Sequence, residues 1–105
     1  MVEIVYSTAA LNDLEHIGDH ISETLKNPIA ALNILNEIQD SISNIADFPL
    51  VGAPLSSIVK IDTDYRFLVC GNYLVFYRAQ VERVYIDRVI YGRRDYLSIL
   101  FGKLT

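Results

Sequence analysis

A single cysteine, Cys70, stands among the 105 residues. No internal disulfide can therefore staple the chain, and because Cys70 falls in an apolar, strand-like run, a buried and inert thiol is expected there. Long apolar runs are also missing. None approaches the roughly 18 residues that crossing a bilayer requires, and the opening stretch MVEIVYSTAALNDLEH has no basic segment followed by an apolar one. The expectation is a cytoplasmic protein with no membrane contact. Only two histidines occur, His16 and His20, spaced as two ligands on one helix face would be, with Asp13 a turn earlier. The stretch HIGDH lacks the glutamate of a metalloprotease helix, and no third, distant histidine exists. The reading is a solvated acidic helix face, with no metal and no cofactor. Internal repeats and low-complexity segments are absent.

Positive charge is scarce in the first half. Residues 1–59 hold eight acids against Lys26 alone, a net of −7, whereas residues 60–105 hold eight bases against five acids, a net of +3. Such a split predicts a bipolar surface whose basic half meets an anionic partner, or two halves that neutralise each other within the fold.

Apolar material is ample. Hydrophobic residues make up 51% and charged residues 21%, with a mean hydropathy of +0.26, which excludes a disordered tail and predicts one globular domain over residues 1–105. A domain of this size removes roughly 60 to 70% of its unfolded surface from water. VEIVYS reads as a short, largely buried strand. Ser7 or Thr8 can cap a helix running to about Lys26, with Leu11, Leu14, Ile17, Gly18, Ile21 and Leu25 on one stripe. Asn27 and Pro28 supply the cap and first position of a second helix with the stripe Ala31, Leu35, Ile38, Ile42 and Ile45, and so short a connection predicts an antiparallel hairpin. DFPLVGAPLSS reads as a loop. Gly71 and Asn72 then separate two strands as a tight turn, a third strand follows over RVYIDRVIY, and RRDYLSILF fits one or two helical turns. By alternation Tyr85 and Tyr91 share one face of that strand and Ile86 and Ile90 the other, which puts Arg88 on an apparent core face. A partner at the sheet's end or a bulge must resolve this. The expected architecture is α+β: a βααβββ order in two layers, an N-terminal helix hairpin packed on a mainly antiparallel sheet, and a short C-terminal helix.

The βααβββ order, the FPLVGAP loop, the GNYLVFYRA hairpin and the YIDRVIYGRRDYLSIL ending resemble the RelE/ParE superfamily of toxins from bacterial type II toxin–antitoxin systems, over essentially the whole chain. The resemblance implies a growth-arresting toxin, of a kind tied to plasmid stabilization, and a cognate antitoxin whose acidic amphipathic segment folds along it. Its two branches differ in chemistry. The RelE-like branch cleaves mRNA on the ribosome, which needs a proton acceptor, a donor and cations around the phosphate. Here Tyr73 stands where that pattern has an arginine and Leu100 where it has a catalytic tyrosine. Tyr91 replaces a histidine, and a phenol, ionising near pH ~10, is a poor base near neutrality. Of a ribonuclease set only Arg66, Arg94 and Tyr91 would remain.

The ParE-like branch implies inhibition of DNA gyrase by binding, with no bond broken by the toxin. The motif YLVFYR…RVIYGRRD is closer to it, so no catalytic residue is expected. Target binding is expected at Arg66, Tyr91, Arg93 and Arg94, and antitoxin binding at Tyr96, Leu97, Leu100 and Phe101. An inactive relative that only binds an antitoxin is the alternative of a different class.

Overall fold

Ser7 sets the first corner of the chain. In the computed structural model, which describes residues 2–102, its hydroxyl accepts from the Ala10 N–H at 2.9 Å and donates to the Asp87 carbonyl at 2.7 Å. It thus caps a helix and ties that helix to a distant strand. Strand β1 (Glu3–Tyr6) ends there and α1 (Thr8–Thr24) begins. Lys26 takes a left-handed φ of 50° between the helices. Asn27 caps α2 (Pro28–Asp47) by accepting from the Ala30 N–H at 3.1 Å, with Pro28 in the first turn, where its missing N–H costs nothing. The predicted hairpin is present. Ala31, Ile38, Ile42 and Ile45 are buried along α2 as expected, and each of the isoleucines contributes roughly 1.5–3 kcal/mol of burial free energy.

The stripe of α1 is narrower than expected. Ala10, Ile17 and Ile21 are buried, but Leu11 and Leu25 are exposed. At about 100° per residue, Leu11 points roughly a quarter-turn away from the centre of the buried set, and Leu25 is the C-cap, past the last helical turn.

After α2 the expected loop contains a two-residue strand, β2 (Ala53–Pro54), and a single 3₁₀ turn at Leu55–Ser57. Strands β3 (Arg66–Cys70), β4 (Tyr73–Ala79) and β5 (Arg83–Tyr91) follow, and the sheet order is β1-β5-β4-β3-β2, antiparallel except for the β1–β5 pair. Gly71, at φ 57°, opens the two-residue turn between β3 and β4. β1 is an edge strand and only half-buried, not the largely buried strand expected. Cys70 is buried with a free thiol, as expected.

A bulge in β5 resolves the Arg88 problem. Tyr77 pairs with Ile86 and Phe76 with Arg88, so Asp87 has no partner on β4. The inward parity then changes: Val84 and Ile86 before the bulge, and Val89 after it, join the core beneath the helix hairpin, while Ile90 turns to the opposite face. The expected grouping of Ile86 with Ile90 therefore fails. Strict alternation holds only while strand residues pair one to one.

The opposite face is covered too. A second cluster around Leu55, Phe76 and Ile90 packs against Tyr65, Phe67 and α3 (Tyr96–Phe101). Val75, Phe76 and Tyr77 are consequently buried in succession, as a central strand covered on both sides requires. Among the described residues no helix is long and apolar enough to cross a membrane, and no cluster of metal-ligating side chains occurs.

Candidate functional site

Six arginines occur, and the fold engages four of them. Arg78 forks onto Asp87, with Nε at 2.6 Å, and lies 5.0 Å above the Tyr85 ring. Arg88 forks onto Asp13, both bonds 2.7 Å, while the same carboxylate accepts from the Val89 N–H at 2.9 Å. Arg83 meets Glu3 at 3.2 Å on the surface. Two of these pairs join the basic half of the sequence to the acidic half, so part of the charge asymmetry is neutralised internally. Lys103, counted in the basic half, lies outside the described residues.

Arg66 is engaged differently. Its Nη1 donates to the Gly52 carbonyl at 2.6 Å and, more weakly, to that of Leu50 at 3.4 Å. Arg93 and Arg94 remain. Both are exposed at the turn from β5 to α3, and among the described residues neither side chain has a carboxylate or hydrogen-bond partner. The turn itself is well defined. Gly92 N–H donates to the Asn72 carbonyl at 2.8 Å, Arg94 N–H to Tyr91 at 3.0 Å, and Asp95 caps α3 by accepting from the Ser98 N–H at 3.3 Å and hydroxyl at 2.7 Å.

A cleft of about 570 Å³ opens beside this turn, between the helix hairpin and the end of the sheet. Ile17, Ile21, Ile34 and Val89 form its apolar lining; Tyr73, Tyr91, Arg94 and the two histidines are its polar lining. Tyr73 and Tyr91 face each other across β4 and β5 with ring centroids 5.7 Å apart. Burial first, and then the neighbouring Tyr91, push the Tyr73 hydroxyl above its ordinary pKa of 10.0. It therefore serves as a hydrogen-bond donor and not as a proton acceptor near neutrality. Asp13 also borders the cleft, but both of its oxygens are held by Arg88 and Val89.

Of the residues expected to contact a target, Tyr91 and Arg94 line the cleft together, and Arg93 is exposed beside them at the turn. Arg66 lies apart. It pairs with Tyr77, four positions along β4 from the Tyr73–Tyr91 rung, a separation of roughly 13 Å. Of the α3 residues expected to meet an antitoxin, Tyr96, Leu100 and Phe101 pack on the second core cluster. The Tyr96 ring lies 5.4 Å from that of Phe76 and the Phe101 ring 5.8 Å from that of Tyr65. Leu97, also on α3, is half-buried.

Sequence reasoning missed His16, His20, Asn72 and Tyr73 as neighbours of Arg94. A signal was available. His16 and His20 lie on the α1 flank that also carries Asp13, one of four acids on α1 that could meet the stranded Arg88, and that pairing is what turns the flank toward β5.

A family model described as "ParE toxin of type II toxin-antitoxin system, parDE" matches residues 4–96. No curated protein matches the chain. Among solved structures, the chromosomal ParDE toxin–antitoxin system of P. aeruginosa contains a chain similar at a TM-score of 0.70 and 23% identity, covering 85% of this chain and 94% of that one. YafQ of E. coli strain BL21(DE3) is similar at a TM-score of 0.55 and 15% identity, covering 97% of this chain and 100% of that one. At these identities the two structures show a shared fold.

Proposed function

The chain belongs to the ParE toxin family of type II toxin–antitoxin systems, and from that premise we propose that it inhibits DNA gyrase by binding, through Tyr91, Arg93 and Arg94. The observation that carries this reading is the pair of arginines at the β5–α3 turn. Every other arginine has an acceptor inside the fold, whereas these two present planar, multidentate donors to solvent beside an aromatic ring. Such groups suit a carboxylate or phosphate on a partner.

The ribonuclease alternative has less support. Arg66 does not line the cleft that Tyr91 and Arg94 line, and its backbone lies roughly 13 Å along the sheet from the Tyr73–Tyr91 rung. The cleft also contains no carboxylate free to take a proton from a ribose hydroxyl, since Asp13 is held by Arg88 and Val89.

A plasmid supercoiling assay tests the reading. The purified chain is expected to inhibit gyrase and to leave mRNA on translating ribosomes uncut. Cleavage at the ribosome without any effect on gyrase would refute it. Normal growth of cells that express soluble protein would instead support the inactive, antitoxin-binding relative.

A further inference from the structure

Turns that connect a helix to a sheet usually carry polar residues, yet Phe48–Val51 carries three large apolar ones in four. Val51 N–H donates to the Phe48 carbonyl at 2.9 Å, closing a tight turn with Pro49 and Leu50 at its centre. The side chains face outward: Phe48 is 65% exposed, Leu50 68% and Val51 41%. An apolar tip of this kind costs solubility in a free monomer and is retained where something covers it.

The backbone beneath the tip is locked from the core. Tyr77 is fully buried, yet its hydroxyl leaves the core at the base of the turn, donating to the Pro49 carbonyl at 2.8 Å and accepting from the Gly52 N–H at 2.8 Å. Arg66 Nη1 holds the Leu50 and Gly52 carbonyls. Gly52 sits so close that an added Cβ would come within 2.7 Å of both the Phe67 carbonyl oxygen and the Tyr77 hydroxyl. Four hydrogen bonds from two side chains thus fix a segment whose own side chains make little contact with the core. Rigid presentation of apolar anchors lowers the entropic cost of association.

The charge at the base of the turn suggests what kind of partner fits. Arg66 has no carboxylate partner among the described residues, and its bonds to the loop use Nη1 alone, leaving Nε and Nη2 to face a ligand. We propose that the Phe48–Val51 turn, with the Arg66 guanidinium at its base, is a preformed docking surface for an amphipathic segment of the antitoxin that places a carboxylate beside its apolar anchors. It rests on membership of the toxin–antitoxin family and is independent of whether gyrase is the target.

The test uses the full chain and, as probe, its purified cognate antitoxin, with affinity measured by calorimetry. The double variant Phe48→Ser/Leu50→Ser is expected to bind at least roughly 30-fold more weakly, as loss of two central anchors implies, with thermal unfolding and growth arrest unchanged. Tyr77→Phe keeps every apolar anchor but frees the turn. It is expected to weaken binding by about tenfold in protein that remains folded at the assay temperature. Val81→Ser, at a 95% exposed position in another turn, is the control and should bind normally. Binding within threefold of wild type by the Phe48/Leu50 variant overturns the proposal. Retained antitoxin binding with lost growth arrest would assign the surface to the target instead. Loss of a concentration-dependent dimer in that variant, with antitoxin affinity intact, would assign it to a second copy of the chain.

Discussion

Replacing Asp13 with alanine removes three hydrogen bonds at once, two to Arg88 and one to the Val89 N–H. The carboxylate is 11% exposed and the arginine side chain 26%, so the guanidinium is left largely desolvated beside an orphaned backbone donor. Breaking a buried pair by removing one partner costs about 3–5 kcal/mol. Arg88 can recover some hydration through its exposed part, which places the expected loss near the lower end, about 3 kcal/mol. A domain of this size has on the order of 5–15 kcal/mol in total, so Asp13→Ala should still fold. Its urea midpoint should fall by about 1.5–2 M and its Tm by roughly 15 °C. The double variant Asp13→Leu/Arg88→Met removes both charges, and with no uncompensated guanidinium left it should recover at least half of the loss. Urea and thermal unfolding of the three proteins side by side decide the matter. A loss below about 1 kcal/mol for Asp13→Ala, or a double variant no more stable than the single one, would refute the claim that this fork compensates the largely buried Arg88.

Gly52→Ala drives a Cβ to within 2.7 Å of a backbone oxygen and a buried hydroxyl, so a loss of about 2–4 kcal/mol is expected in thermal unfolding. Arg94→Ala should abolish growth arrest while moving Tm by less than about 2 °C, because its side chain has no partner to lose among the described residues; a large drop in Tm would make the turn architectural. Arg66→Ala should instead lower stability by about 1–2 kcal/mol, since its loop carbonyls lose charged donors. The Asp95 carboxylate is held below its ordinary 3.8 first by the Ser98 hydroxyl and then by the Ser98 N–H. Its capping contribution is therefore complete above pH ~4 and is lost as pH falls through the depressed value; the protection factors of the α3 amides, corrected for the intrinsic exchange rate, should fall over that range in the wild type and show no such pH dependence in Asp95→Asn.

Local features of the fold were legible in the sequence because they depend on neighbours a few residues apart. Ser7 and Asn27 cap helices wherever the following residues can turn, Pro28 suits a first helical turn, and Ile38, Ile42 and Ile45 fall on one face by the helical repeat alone. Gly71 opens a tight turn because its φ of 57° suits glycine. The family resemblance rested on the same kind of information, ordered motifs along the chain. At the candidate site the run Tyr91–Arg94 was legible too, since adjacency in sequence places those groups together at any strand-to-helix turn.

The tertiary structure decided which distant groups share a surface. Asp13 and Arg88 lie 75 positions apart, and their meeting depends on how α1 returns across the sheet. That pairing accompanies the bulge at Asp87, and the bulge shifts Val89 and Ile90 by one parity step, which no alternation pattern can contain. Arg66 was expected beside Arg94 because the family resemblance implied both at one target-binding site. Strand register puts it at the other end of β3, beneath a turn held by Tyr77. Residue type and spacing determined the helices, the main strands and the buried face of α2, since these follow from backbone geometry and solvent over a few residues. Which charges found partners and which were left exposed was decided only by strand order and register, because pairing depends on distances that the folded chain alone defines.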